Sequence, residues 1–120
     1  MGKILIIDDE RAIRRALKEI LEFEEFEVFE AENGKIGLEM AMADTYDIIF
    51  CDIKMPEMDG LEATRIIRAN NKNIPIIAVT AFASNEDRHQ CIKAGCDDYI
   101  SKPFKTGTLF ALIDKYVYKQ

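Results

Sequence analysis

The chain has 120 residues, the size of one compact domain, and nearly half of them are hydrophobic and about a third charged, which excludes a disordered or fibrous protein. Its formal net charge of -6, with acidic and basic residues interspersed, argues against direct binding to nucleic acid. No apolar run approaches the roughly 20 residues that span a bilayer, and no secretory signal is recognisable, so we expect a cytoplasmic protein without a membrane segment.

Short apolar runs along the chain predict buried strands. Ile4–Ile7, Ile48–Cys51 and Ile74–Val79 are each continuous rather than alternating, which is typical of parallel strands covered on both faces. Two weaker strands are predicted at Glu27–Ala31 and Tyr99–Ser101. The chain therefore has five candidate strands, well separated in sequence.

Segments with helical spacing follow each of these strands. Weaker helices are predicted at 35–43, 60–69 and 86–94, and apolar stripes at helical spacing occupy Ile13, Ala16, Leu17, Ile20 and Leu21, and Leu109, Leu112, Ile113, Tyr116 and Val117. Strict alternation of strand and helix with short connections implies right-handed crossovers in an α/β fold. We predict a doubly wound parallel sheet with helices on both faces. No linker is visible, so residues 1–120 are predicted to form a single domain.

Polar side chains fall where the predicted strands end. Asp8 and Asp9 follow the first strand, Asp52 and Thr80 end the third and fourth, and Lys102 follows the fifth. In open α/β sheets, ligands bind beyond the carboxyl ends of the strands, where the strand order reverses. Each residue alone could be a turn former, a strand residue or a surface charge. Their placement at four strand ends on one edge favours a shared crevice instead.

Carboxylates gathered in such a crevice predict a divalent metal site. Two like charges 4 Å apart repel by about 4 kcal/mol at an effective dielectric constant near 20, so a cation is needed to offset them. Mg²⁺ fits best, because it accepts one or two carboxylates together with water and phosphate oxygens. We assign Asp9 as a direct ligand, Asp8 as a ligand partly through water, Asp52 as a bridging ligand, and the backbone carbonyl of Lys54 as a further candidate.

The same group of residues suits phosphoryl transfer. In this chemistry catalysis is mostly positioning and charge stabilisation, and a carboxylate can serve as the nucleophile. Asp52 is predicted to attack phosphorus in line. Lys102 and the Thr80 hydroxyl would then hold oxygens of the phosphoryl group.

These residues resemble the receiver domain of bacterial response regulators in two-component signalling. The resemblance rests on the Asp8–Asp9 pair, on Asp52 within CDIKMPEMDG, on Thr80-Ala81 and on Lys102-Pro103-Phe104, and it spans essentially the whole chain. The stretches MPEMDGLEATRIIR and AGCDDYISKPF are most similar to receivers of hybrid sensor histidine kinases.

The resemblance implies a flavodoxin-like (βα)5 fold with strand order 2-1-3-4-5. It also implies a signalling phosphoacceptor rather than an enzyme, in which Asp52 takes a phosphoryl group from a histidine kinase or a histidine phosphotransfer domain. The peptide bond between Lys102 and Pro103 is expected to be cis, since proline is the residue before which that isomer costs least.

The same resemblance implies a pair of switch residues and two tuning residues, which adjust the lifetime of the phosphorylated state. Thr80 and Tyr99 match a pair in which the hydroxyl moves toward the phosphoryl group and the ring follows. The surface of the fourth helix, fifth strand and fifth helix would then address a downstream protein partner or an attached module. Lys54 and Phe82, each two residues after a site residue, are expected at the rim, where they would adjust the lifetime of the acyl phosphate.

Two other function classes use similar residues. A Mg²⁺-dependent phosphohydrolase of the haloacid-dehalogenase kind also forms an aspartyl phosphate, but its motif has a second Asp two residues after the nucleophile, where this chain has Lys54. A flavodoxin-like module for nucleotide or flavin needs a phosphate-cradling loop, and neither GxGxxG nor GxxxxGK[ST] occurs.

Overall fold

The computed structural model describes residues 2–55, 58–70, 73–81 and 84–118. Within these ranges, five strands alternate with five helices, and a turn of π-helix, Asp114–Tyr118, follows the last helix. The strands are β1 (Lys3–Ile7), β2 (Glu27–Ala31), β3 (Ile48–Asp52), β4 (Ile76–Thr80) and β5 (Asp98–Ser101). The helices are α1 (Arg11–Phe23), α2 (Gly34–Ala43), α3 (Gly60–Ala69), α4 (Asn85–Ala94) and α5 (Thr106–Ile113).

The strands form one parallel sheet in the order β2-β1-β3-β4-β5. This order confirms the predicted flavodoxin-like arrangement. The strand order reverses between β1 and β3. In open α/β sheets, ligands bind beyond the carboxyl ends of the strands at such a point. The register aligns Ile7 with Cys51 and Asp52 with Val79, and these pairs lie at that rim of the sheet.

Alternate residues of each central strand face two separate apolar layers. In β1, Ile4 and Ile6 pack with residues of α1 and α5, whereas Leu5 and Ile7 pack with residues of α2, α3 and α4. Both faces of the sheet are therefore covered, which explains why the apolar runs are continuous. All five residues of β3 and of β4 are buried, so the polar ends of these strands are fixed by the core beneath them.

Side chains at the helix N-termini explain where three of the helices begin. Asn33, Asp59 and Ser84 each accept a hydrogen bond from the backbone N–H three residues later, at 2.8, 2.9 and 3.1 Å. At the other end of α4, Gly95 adopts a left-handed conformation with φ of 110°, which glycine reaches without steric cost. In the part of the chain that the structure describes, no helix is both long and apolar enough to cross a bilayer.

Two element boundaries differ from the sequence prediction by more than one residue. The fourth strand begins at Ile76 rather than Ile74, because Pro75 has no N–H to donate and the first strand N–H, that of Ile76, bonds to the Asp97 carboxylate at 2.9 Å. The last apolar stripe predicts helix as far as Val117, but the α-helix ends at Ile113 and widens into the π turn. The wider turn is accompanied by a 2.9 Å hydrogen bond from the Tyr116 hydroxyl to Asp98.

Candidate functional site

The structure brings the predicted polar residues to one rim of the sheet. Asp8 follows β1, Asp52 and Thr80 are the last residues of β3 and β4, and Lys102 follows β5. The Lys102 ammonium lies 3.2 Å from the Asp8 carboxylate and 3.4 Å from the Asp52 carboxylate. Residues from three strand ends therefore meet at one ammonium group.

Among the described residues, four carboxylates cluster around this point. Asp8, Asp9, Glu10 and Asp52 each present one oxygen, and these oxygens all lie within 4.8 Å of one another. Asp8 and Asp52 are buried, with 1% and 5% of their surface exposed, whereas Asp9 and Glu10 face solvent. The cluster thus has a buried floor and an open side, through which a small ion or an anionic group could enter.

Burial and mutual repulsion raise the pKa values of the two buried carboxylates, Asp8 and Asp52. Loss of water raises the pKa of Asp52 to about 6, and the nearby Asp8 carboxylate contributes to the rise, while Lys102 and the Lys54 backbone N–H oppose both effects. Burial likewise raises the pKa of Asp8, against hydrogen bonds from the Glu10 N–H and from Lys102. Two buried carboxylates held at this spacing favour a cation beside them.

Lys102 partly neutralises the cluster. Burial alone would lower the pKa of its ammonium group, but the carboxylates of Asp52 and Asp8 outweigh that effect and raise it above the ordinary value. A third carboxylate, that of the exposed Glu10, also lies 3.2 Å from this ammonium. The peptide bond between Lys102 and Pro103 is cis, the isomer that the resemblance implied.

The backbone after β3 fixes Asp52 at the rim. The Ile53 N–H donates to the Val79 carbonyl at 3.1 Å, and the Gly60 N–H donates to the Ile53 carbonyl at 3.2 Å, so Gly60 lies beside the end of β3. A Cβ on Gly60 would lie 2.2 Å from the Asp52 carbonyl oxygen. The start of α3 can approach Asp52 this closely only because residue 60 is glycine.

Thr80 and Tyr99 occupy neighbouring strands. Thr80 is buried at the end of β4, and its carbonyl accepts a 2.7 Å hydrogen bond from the Lys102 N–H. Tyr99 is half-buried on β5, the strand at the sheet edge, and the Arg88 guanidinium lies 4.8 Å from the centre of its ring. Both predicted switch residues therefore lie on strands between the cluster of four carboxylates and α4.

Of the two predicted tuning residues, only one lies in the described part of the chain. The Lys54 side chain is exposed, and its backbone N–H donates to the Asp52 carboxylate at 3.2 Å. Lys54 therefore stands at the rim, where it was expected. Phe82 lies outside the described residues.

Glu10 is a site residue that the sequence prediction missed. It belongs to the same turn as Asp8 and Asp9, and its N–H donates to the Asp8 carboxylate at 2.9 Å, so the turn folds its side chain toward Lys102. Its position directly after two strand-end acids was the signal available in the sequence.

Comparison with known proteins shows what this arrangement is similar to. The family model described as response regulator receiver domain matches residues 4–114. The transcriptional regulatory protein SrrA of Staphylococcus aureus is 46% identical over 103 residues, which is 86% of this chain. The match covers 42% of that relative, so the chain spans less than half the length of the curated relatives it matches.

Solved structures share the whole fold. The receiver domain of the Francisella response regulator 1452 has a TM-score of 0.93 and 31% identity, covering 99% of this chain and 98% of that one. The receiver domain of sensor histidine kinase PA1611 from Pseudomonas aeruginosa has a TM-score of 0.89 and 34% identity, covering 97% of each chain. That structure has a magnesium ion coordinated in its active-site cleft.

Proposed function

Because this chain belongs to the family of response regulator receiver domains, we propose that its Asp52 accepts a phosphoryl group from the phosphohistidine of a histidine kinase or a phosphotransfer domain. The observation that carries the proposal is the contact of the Lys102 ammonium with Asp8 and Asp52, at 3.2 and 3.4 Å, inside a cluster of four carboxylates. We further propose that the exchange takes place in the cytoplasm, the compartment predicted from the sequence.

Asp52 has the properties of a nucleophile that works near neutral pH. With its pKa raised to about 6, it is mostly ionised at physiological pH and remains a stronger base than an ordinary carboxylate. One of its oxygens forms the new bond to phosphorus as the bond from phosphorus to the donor's imidazole nitrogen breaks, and the imidazole keeps that electron pair. Lys102 then shifts from carboxylate contacts toward the oxygens of the transferred group, and the Thr80 hydroxyl donates to another.

The donor set fits Mg²⁺. Carboxylate oxygens of Asp8, Asp9 and Asp52, with the backbone carbonyl of Lys54, would hold the ion, because hard oxygen ligands on a partly open site are what Mg²⁺ prefers. When bound, Mg²⁺ offsets the negative charge of the site and of the transferring phosphoryl oxygens. The magnesium ion in a similar receiver domain supports this assignment.

The acceptor role is tested by intact mass after incubation with Mg²⁺ and acetyl phosphate. We expect one phosphoryl group per chain, released by hydroxylamine, in the wild type and in an Asp87→Asn control, and none in Asp52→Asn. Labelling of Asp52→Asn to the same extent would contradict the proposal. Repeated turnover of ordinary phosphomonoesters would instead indicate a phosphohydrolase.

We propose that Thr80 and Tyr99 transmit phosphorylation to the surface of α4, β5 and α5. The half-buried Tyr99 ring, beside Arg88 of α4, is placed to change its packing when the Thr80 hydroxyl moves. Tyr99→Ala should keep Mg²⁺-dependent labelling but lose phosphorylation-dependent affinity for the downstream partner or attached module, while Tyr99→Phe keeps the ring and the response. Unchanged affinity of Tyr99→Ala would refute this switch.

Lys54 and Phe82 are proposed to set the lifetime of the acyl phosphate. Lys54 is exposed directly beside Asp52, where its side chain can limit the approach of water. Alanine at both positions should change the rate of dephosphorylation, measured as loss of label after the donor is removed. A rate equal to that of the wild type would contradict this role. The narrower likeness to hybrid-kinase receivers stays a prediction, since similar proteins include a transcriptional regulator and a sensor kinase.

A further inference from the structure

The turn formed by Asp8, Asp9 and Glu10 is held by the guanidinium group of Arg14, which is neither the proposed acceptor nor a predicted metal ligand. Arg14, in the first turns of α1, donates from Nη1 to the backbone carbonyl of Asp8 at 2.7 Å. Helical side chains lean toward the N-terminus of their helix, so a residue at this position covers the loop that precedes it. Only 12% of the Arg14 side chain is exposed.

This contact restrains the backbone of two predicted metal ligands at once. The Asp8 N–H is held by the Ala31 carbonyl of β2 at 3.1 Å, and its carbonyl is held by Arg14. The Asp8 carbonyl shares a planar peptide unit with the Asp9 N–H, so holding the oxygen sets the plane from which the Asp9 side chain departs. This hydrogen bond therefore restrains the backbone from which both carboxylates project.

Glu30 of β2 holds the guanidinium in place. Arg14 Nε donates to one Glu30 oxygen at 3.2 Å, and Lys18 lies 3.5 Å from the other oxygen. The fork geometry of arginine allows Nε and Nη1 to serve two different acceptors at the same time, which lysine cannot do with fixed geometry. Arg14 therefore connects β2 to the acidic turn through one rigid group.

We propose that Arg14, held by Glu30, is a positioning residue that keeps the Asp8–Asp9 turn in the conformation that binds the cation. The proposal rests on the proposed function, because it concerns the same Mg²⁺ site. Asp8, Asp9, Glu10 and Asp52 repel one another across less than 4.8 Å, so a turn without this anchor would open and spread its ligands. Groups that orient metal ligands without touching the metal act in this way.

A matched residue at the opposite rim of the sheet can distinguish an effect of Arg14 on the metal site from an effect on stability alone. Arg68 of α3 is also a half-buried arginine that donates to backbone carbonyls, those of Gly95 and Ile74, each at 2.8 Å, and pairs with a carboxylate, that of Asp97. Its contacts lie at the amino ends of β4 and β5, away from the acidic cluster. Arg68→Met should cost stability as Arg14→Met does, without changing the metal site.

The test is Mg²⁺ affinity by isothermal titration calorimetry, with thermal unfolding measured for each variant. Arg14→Met should weaken Mg²⁺ binding by about tenfold, as loss of a ligand-orienting partner commonly does, while Arg68→Met stays within about twofold of wild type. Arg14→Lys and Glu30→Gln, milder changes that keep the charge or the shape, should give intermediate losses of affinity.

Three outcomes distinguish failure of this inference from failure of the proposed metal site. Wild-type affinity in Arg14→Lys, Glu30→Gln and any folded Arg14→Met would overturn the positioning role while leaving Asp52 as the acceptor. An equal loss in Arg14→Met and Arg68→Met would also overturn it, because the loss would then follow stability alone. Failure of the wild type to bind Mg²⁺ would instead overturn the proposed metal site.

Discussion

Asp52 is a buried carboxylate whose charge the fold does not fully compensate. Its surface is 5% exposed, the Lys102 ammonium lies 3.4 Å away, and that cation is shared with Asp8 and Glu10. The sequence predicted which residues meet here, because each follows or ends an apolar run. It did not predict Glu10 or Arg14, since their roles depend on how one turn folds and on the distance between α1 and β2.

Asp52→Asn should stabilise the metal-free protein at neutral pH. The pKa of Asp52 rises from an ordinary 3.8 to about 6 on folding, so ionising it lowers the free energy of unfolding as pH increases through that interval. The full effect is on the order of 3 kcal/mol for a shift of this size, and asparagine removes it. The gain should therefore be small near pH 4 and greatest above pH 6.

Urea unfolding with a chelator present, at about pH 4 and about pH 7.5, measures this gain. Asp87→Asn serves as the control, because it removes one carboxylate from α4 without touching the acidic cluster. A stabilisation of Asp52→Asn that does not grow with pH would contradict the assigned cause.

Glu10→Gln should accelerate labelling by a small anionic donor. The Glu10 side chain is 59% exposed, competes for the Lys102 ammonium at 3.2 Å and adds negative charge at the open side of the site. Removing an exposed charge of this kind should raise the labelling rate by about two- to fivefold. The rate of acetyl phosphate labelling at saturating Mg²⁺ measures the effect, and Glu22→Gln, an exposed acid near the end of α1, is the control. A slower rate in Glu10→Gln would show that Glu10 assists the reaction.

At the scale of elements, apolar runs and helical spacing predicted most boundaries to within one residue. Asn33, Asp59 and Ser84 stand where the structure begins helices. The π turn after α5 could not be predicted, since Tyr116 and Val117 continue the helical apolar spacing. The turn coincides with hydrogen bonds from the Tyr116 hydroxyl to Asp97 and Asp98, at the start of β5. These contacts join residues distant in sequence.

Two glycines in the first turns of helices should respond to alanine in opposite ways. Gly60→Ala places a Cβ 2.2 Å from the Asp52 carbonyl oxygen and should cost at least about 3 kcal/mol of stability, because backbone on both sides must move. A Cβ on Gly107 would meet no atom within 4 Å beyond its chain neighbours and its own helix backbone, so Gly107→Ala should stabilise by about 0.5–1 kcal/mol through helix propensity. Urea unfolding measures both. Equal effects would show that the close approach at Gly60 is not rigid.

At the scale of the whole molecule, strand order could be predicted only through the family resemblance. Alternation of strands and helices predicts a parallel sheet, but several orders satisfy it, and the order β2-β1-β3-β4-β5 is what brings β1 and β3 side by side. That adjacency places Asp8 next to Asp52. The strand order therefore determines where the site lies. Its finer geometry, such as the sharing of the Lys102 ammonium among three carboxylates, depends on side-chain packing that local sequence patterns do not predict.

Mg²⁺ should stabilise the whole domain. A ligand that binds only the folded state adds about 2.7 kcal/mol at a concentration one hundred times its Kd, so the midpoint of thermal unfolding should rise with Mg²⁺ concentration. The shift should shrink in Asp9→Asn, which removes an exposed carboxylate of the cluster. Sodium chloride at equal ionic strength is the control for screening, and an equal shift with that salt would argue against a specific site.

The Lys102 ammonium is separated along the chain from Glu10 by 92 residues and from Asp52 by 50. A fragment that ends before Lys102 would lack the ammonium group at which Asp8, Glu10 and Asp52 meet. Labelling of the proposed acceptor Asp52 should therefore report completed folding: during renaturation, the ability to take up a phosphoryl group should appear only when the two ends of the polypeptide have come together.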